Sequence, residues 1–284
     1  MTARAARMAR GAWCLVRALA VCAALLPPPA ARADGATAER LGEVLRLDEV
    51  VAVLREEGEA NGRELDRDML GGNGGAWWAR QVARIHDADR MKAVMVQALG
   101  NTMSDAEIAA GIAFFDSATG RHILTLETSA RRAMADPEIE AIARAAYAQV
   151  QGSDDARLAA VARFVAINDL LERNVAGVMN ATYQFYRGMA DGGTIKLDDR
   201  AILADVWSGE EETRADTESW LFGFLLMAYR PLSDVEMADY NAFSRTGAGQ
   251  ALNAALFEGF EVMYRDISHA LGLAAAQAMS FSEL

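Results

Sequence analysis

The chain has 284 residues, with 28 Lys and Arg against 40 Asp and Glu, a net charge of −12, three histidines and two cysteines. An acidic balance of this size excludes electrostatic capture of nucleic acid or anionic lipid. Both cysteines, Cys14 and Cys22, fall in the first 33 residues, so the rest has no disulfide, thiolate nucleophile or cysteine metal ligand.

Residues 1–33 read as a secretory signal peptide. Arg4, Arg7, Arg10 and Arg17 form a positive start without an acid, and residues 18–26 form a short apolar stretch. Pro27 to Pro29 break that stretch, and Ala31-Arg32-Ala33 is a small-x-small cleavage site, which predicts an exported, periplasmic protein cut after Ala33. A lipobox at Leu19 to Cys22 is the rival reading, weakened by the bulky Val21. The leader carries five arginines, so its removal takes the net charge from −12 to about −17.

Residues 38–70 are helical by apolar periodicity, with Leu41, Val44, Leu45, Leu47, Val51 and Leu54 on one face. Gly71 to Gly75 break the pattern as a flexible linker; the run lacks the lysine and hydroxyl of a phosphate-binding loop. A Trp-bearing helix is expected over 76–101, then a helix from Ser104 with a partner through Met134. Asp136-Pro137 closes that run and opens a short helix to about Gln151, with Asp136 as cap and Pro137 in its first turn. Gly152 to Asp155 mark the boundary between two halves, 34–152 and 153–284. A long helix over 157–189 and another over 252–279 complete the second half. Glu210 to Glu212 read as a solvated loop or helix start. Trp220 to Tyr229 is the most apolar run, and its ten residues suit a buried helix rather than a membrane span.

One stretch occurs twice. Met103 to Gly120 and Leu232 to Gly249 align without a gap at an offset of 129 positions, sharing Ser104, Asp105, Glu107, Phe114 and Gly120 with Ser233, Asp234, Glu236, Phe243 and Gly249. Ser-x-x-Glu before an apolar run is a capping box, in which the hydroxyl accepts from the first turn and the Glu reaches back. Ser117 and Thr246 are second caps three positions before the glycine, so each copy reads as a helix–turn–helix corner. Trp78 pairs with Trp207 at the same offset, whereas Leu47, Val50, Val51 and Gly72 pair with Ile167, Leu170, Leu171 and Gly192 at 120. The expected fold is all-α: an internally duplicated bundle of about ten helices in two similar halves.

A capped start, a Glu and then F-x-x-(S/T)-x-x-G-(Q/R) resembles the bacterial secreted family named domain of unknown function 2059. The second copy fits better, with Phe243, Thr246, Gly249 and Gln250; the first has Phe114, Ser117, Gly120 and Arg121. The resemblance implies an exported all-helical domain and brings no catalytic residues.

His86 and Asp89, three apart, are placed on one helical face as in Glu-x-x-His metal bundles, although a solvated polar face is the plainer reading. His122 lies near Asp116 as a His–Asp dyad, but no nucleophile elbow accompanies it. His269 is undecided between core and surface. No residue is singled out as catalytic, cofactor-binding or metal-ligating, and no cofactor is expected. The leading expectation is a non-catalytic envelope module that binds a partner protein or an apolar ligand; ordinary core is the default reading of the Met and aromatic positions, and Tyr183, Phe185, Tyr186 and Met189 are the first place for an exposed patch. The alternative is a metal-dependent or acid–base enzyme using His86 or His122 with nearby carboxylates. No nucleic acid partner and no membrane span after the leader are expected; the oligomeric state is left open.

Overall fold

The computed structural model describes residues 35–195 and 198–282; the leader lies outside them. Among the described residues there are thirteen helices and no strand. The first half holds α1 (Gly35–Val44), α2 (Leu47–Met69), α3 (Gly75–Ile85), α4 (Ala88–Thr102), α5 (Asp105–Phe115), α6 (Ala118–Met134) and α7 (Pro137–Val150). The second holds α8 (Ala156–Ile167), α9 (Leu170–Asp191), α10 (Asp199–Ser208), α11 (Glu210–Tyr229), α12 (Asp234–Ser244) and α13 (Gly247–Ser282).

Three expected helices are each broken once. The helix over 38–70 turns at Arg46 and the one over 157–189 at Asp169, both non-glycine residues in the left-handed region (φ 57° and 51°). A left-handed residue interrupts the helical ladder without interrupting apolar periodicity, so the pattern alone does not reveal the corner. The corners lie 123 positions apart, which shifts the upstream register from the expected 120. The third break comes after Ile85, where Asp87 accepts from the Arg90 amide and caps α4.

The expected caps form. Ser104 and Ser233 each complete a capping box with Glu107 and Glu236, starting helices of eleven residues each. Ser117 Oγ accepts from the Gly120 amide and Thr246 Oγ1 from the Gly249 amide, both at 3.0 Å. The glycines serve close approach: a Cβ on Gly120 would lie 2.3 Å from the Phe114 carbonyl oxygen, and one on Gly249 2.2 Å from that of Phe243. Asp136 caps α7 with Pro137 in its first turn, Asp155 caps α8, and Glu210 to Glu212 open α11.

The long α13 is the axis of the molecule. It packs against α9, α4, α5, α3 and α12, while α11 packs against α7, α6, α9 and α8. Helices of 35–152 and of 153–282 therefore pack on one another around one hydrophobic core instead of forming two beads. At the margin of that core, Phe114 of one corner stacks on Phe243 of the other, with ring centroids 4.1 Å apart and planes 6° from parallel. The other Trp pairing fails as packing: Trp78 is buried and donates to the Gly62 carbonyl at 2.7 Å, whereas Trp207 is 65% exposed.

Candidate ligand cavity

α6 starts at the Ser117 cap and turns Ile123, Leu124, Ala130 and Met134 into the core. Glu127 falls on the same stripe, four residues after Ile123 and three before Ala130, so helical spacing alone aims a carboxyl inward. Four residues on, Arg131 follows it on that face.

Glu127 faces a partly open cavity of about 170 Å³ between the two corners. α6 forms one wall with Leu124, Glu127, Thr128 and Arg131; α13 faces it with Leu252, Asn253, Leu256 and Phe260. Leu45, Leu47, Val50 and Leu54 from the α1–α2 corner contribute a third side, and Phe224, Tyr229, Tyr240 and Phe243 close it. A cavity of this size, apolar over most of its lining, can hold a ring-sized molecule.

The polar groups sit together at one side. Tyr229 and Tyr240 both donate to Glu127 Oε1, at 2.6 and 3.2 Å. The carboxyl is largely surrounded by protein atoms and otherwise borders the cavity, so its charged form is poorly solvated. That desolvation raises its pKa to about 7, against the opposing pull of the two tyrosine bonds. The same burial, with Glu127 next, pushes the Tyr229 hydroxyl well above its ordinary value. Beside them Arg131 makes a bidentate pair with Glu57, both contacts 2.6 Å, and its guanidinium lies 5.5 Å from the Trp220 ring centroid. The arrangement gives an apolar chamber with a carboxyl that is half-protonated near neutral pH, a combination that marks binding and catalytic sites more often than plain core.

The histidines lie elsewhere. His86 is buried, not on a solvated face: its Nδ1 is 2.9 Å from the Val82 carbonyl at the end of α3, its ring packs on Gly58, and burial lowers its pKa. Because α3 ends before it and α4 begins after it, His86 and Asp89 share no helical face. His122 Nδ1 contacts Glu236 Oε1 of the opposite capping box at 2.7 Å, while Asp116, its expected partner, pairs with Arg121. That contact and the cap hold Glu236 down at about 2. His269 pairs with Asp191 at the surface, 2.9 Å away. Of the expected exposed patch, Phe185, Tyr186 and Met189 are buried; only Tyr183 reaches a groove, shared with Leu203 and Trp207. Among the described residues no group of three or more His, Cys, Asp and Glu side chains is gathered as metal ligands.

Sequence reading passed over Glu127, Arg131, Tyr229 and Tyr240. A charged residue inside the apolar stripe of α6 is the signal that was available.

Residues 89–149 match the family model described as an uncharacterised protein conserved in bacteria, DUF2059. The match runs from the first turn of α4 almost to the end of α7, taking in the first corner and the polar wall of the cavity. It falls on one copy, and that copy is the one with Arg121; the fuller motif at Phe243 to Gln250 is not matched. No curated protein and no solved structure matches the chain. Among the described residues no helix is long and apolar enough to cross a membrane.

Proposed function

We propose that this protein is a non-catalytic binding module of the cell envelope, holding a small apolar molecule in the cavity between its two corners. The observation that carries the reading is the cavity itself: about 170 Å³ of apolar space with one desolvated carboxyl at its side. Apolar concave space with a few convergent polar groups and a perturbed carboxyl is the usual setting of a ligand site. Against the histidine enzyme stands the placement of His86 and His122, each held by a structural contact and neither at the cavity. Periplasmic export, with cleavage after Ala33, rests on the arginine-rich leader and its small-x-small site.

The reading also takes the two halves, 34–152 and 153–284, as an internal duplication. Its support is the gapless recurrence of both corners, their equal helix lengths, and the stacking of Phe114 on its own counterpart Phe243. On that view the cavity arose at the seam between the copies.

Calorimetric titration of the purified protein with toluene tests the binding reading. Saturable binding is expected, with a dissociation constant on the order of 0.1–1 mM for seven heavy atoms. Val50→Phe, which fills the chamber from the α1–α2 corner, is expected to abolish it. Absence of saturable binding by the unmodified protein ends the reading.

A further inference from the structure

Resting on that reading, we propose that the bound molecule is a small apolar amine, its nitrogen donating to Glu127. The inference comes from accounting for every polar group at the cavity. Arg131 spends Nε and Nη2 on Glu57. Ser244 donates to the Tyr240 carbonyl and Asn253 to Asn168 Oδ1. The Tyr229 and Tyr240 hydroxyls donate to Glu127 Oε1. The Tyr, Ser and Asn donors therefore have protein partners, and the Arg131 guanidinium is held by Glu57 and Tyr264, while among the described residues no protein donor reaches the second oxygen of Glu127. A carboxylate oxygen that is open to the cavity and receives no protein donor favours a ligand that supplies one.

Charge points the same way. A carboxylate ligand would meet Glu127 with no cation to receive it, because the nearest guanidinium is already paired in a bidentate fork. An ammonium would meet a carboxylate in a poorly solvated site, where such a pair is strong. The chain's net charge of −12 also favours approach of a cation. The groups facing the Glu127 carboxyl and its neighbour are Tyr229 of α11, Tyr240 of α12, Arg131 of α6 itself, Glu57 of α2 and Tyr264 of α13. Of these, Glu127 is the group that titrates near neutrality. An ammonium ligand favours its charged form, so amine affinity rises between pH 6 and 8 as the carboxyl gives up its proton.

Three ring-sized probes of one shape separate the possibilities: benzylamine, toluene and benzoate, titrated into the purified protein at pH 6 and pH 8. At pH 8 benzylamine is expected to bind at least tenfold more tightly than toluene, and benzoate not at all. Glu127→Gln should cost the amine tenfold or more, leave toluene within about twofold, and remove the pH dependence. Benzoate binding as tightly as benzylamine, or an amine affinity indifferent to Glu127→Gln, overturns the proposal while the cavity reading stands if toluene still binds. If none of the three binds, both fall. Should Glu127→Gln not fold, the ranking of the three probes on the unmodified protein decides.

Discussion

The corner from Ser104 to Gly120 and the corner from Ser233 to Gly249 are built from the same parts, down to the second hydroxyl cap and the glycine pressed on a phenylalanine carbonyl. They diverge in the helices that follow. At the same offset of 129, Glu127 of α6 faces Leu256 of α13, and Arg131 faces Phe260, across one cavity. Shared positions hold the backbone and pack the core, where substitution by most other residues is costly. Positions free to differ have given one wall a carboxyl and a guanidinium and left the other apolar. Chemistry in this molecule therefore belongs to the asymmetry between the corners, not to the motif that repeats.

The strongest way to sharpen that comparison is a pair of pH-resolved stability measurements on facing residues. Glu127 titrates near 7 in the folded protein and near 4.5 ordinarily, so the folded state holds the extra proton between those values. Stability consequently falls as pH rises through that window, by about 3 kcal/mol in all. Urea unfolding of Glu127→Gln should lose that slope, gaining about 3 kcal/mol on the unmodified protein between pH 5 and pH 8. Leu256→Gln on the opposite wall should be destabilised equally at both pH values. An unchanged slope in Glu127→Gln would place the buried proton elsewhere.

The shared parts should instead respond alike. Gly120→Ala and Gly249→Ala each drive a methyl into backbone, and each is expected to cost about 2–3 kcal/mol by urea midpoint. Loss of one and tolerance of the other would break the equivalence. Ser104→Ala and Ser233→Ala should each cost about 1 kcal/mol, the usual loss of a helix cap. Smallest is the contact that only one corner makes. His122 reaches the capping Glu236, but the side chains are 42% and 24% exposed, so His122→Ala should cost about 0.5 kcal/mol and less at high salt.

Much of this architecture was legible from residues alone where a short-range rule carries the signal. The capping boxes at Ser104 and Ser233, the Asp136-Pro137 start and the break at Gly152 to Asp155 each follow from local hydrogen bonding. The corners at Arg46 and Asp169 were not, because a single left-handed residue leaves the apolar stripe unbroken. The end of α3 is hidden for a different reason: His86 leaves the helix at φ −95° and ψ 46°, a change that apolar periodicity does not register, and its burial goes unseen with it. The cavity is lined by six helices from distant parts of the chain, so spacing does not join Tyr229 and Tyr240 to Glu127. Glu127 itself is visible as a charge on the stripe of Ile123, Ala130 and Met134.

The central claim is that the chamber between the corners is where a ligand sits. Methyl-resolved NMR during titration with toluene addresses it most directly. Shifts concentrated on Leu45, Leu124, Leu225 and Leu256, saturating together and absent in Val50→Phe, are the predicted result. Shifts confined to Leu203 beside the exposed Trp207, or no saturable shift anywhere, would contradict it.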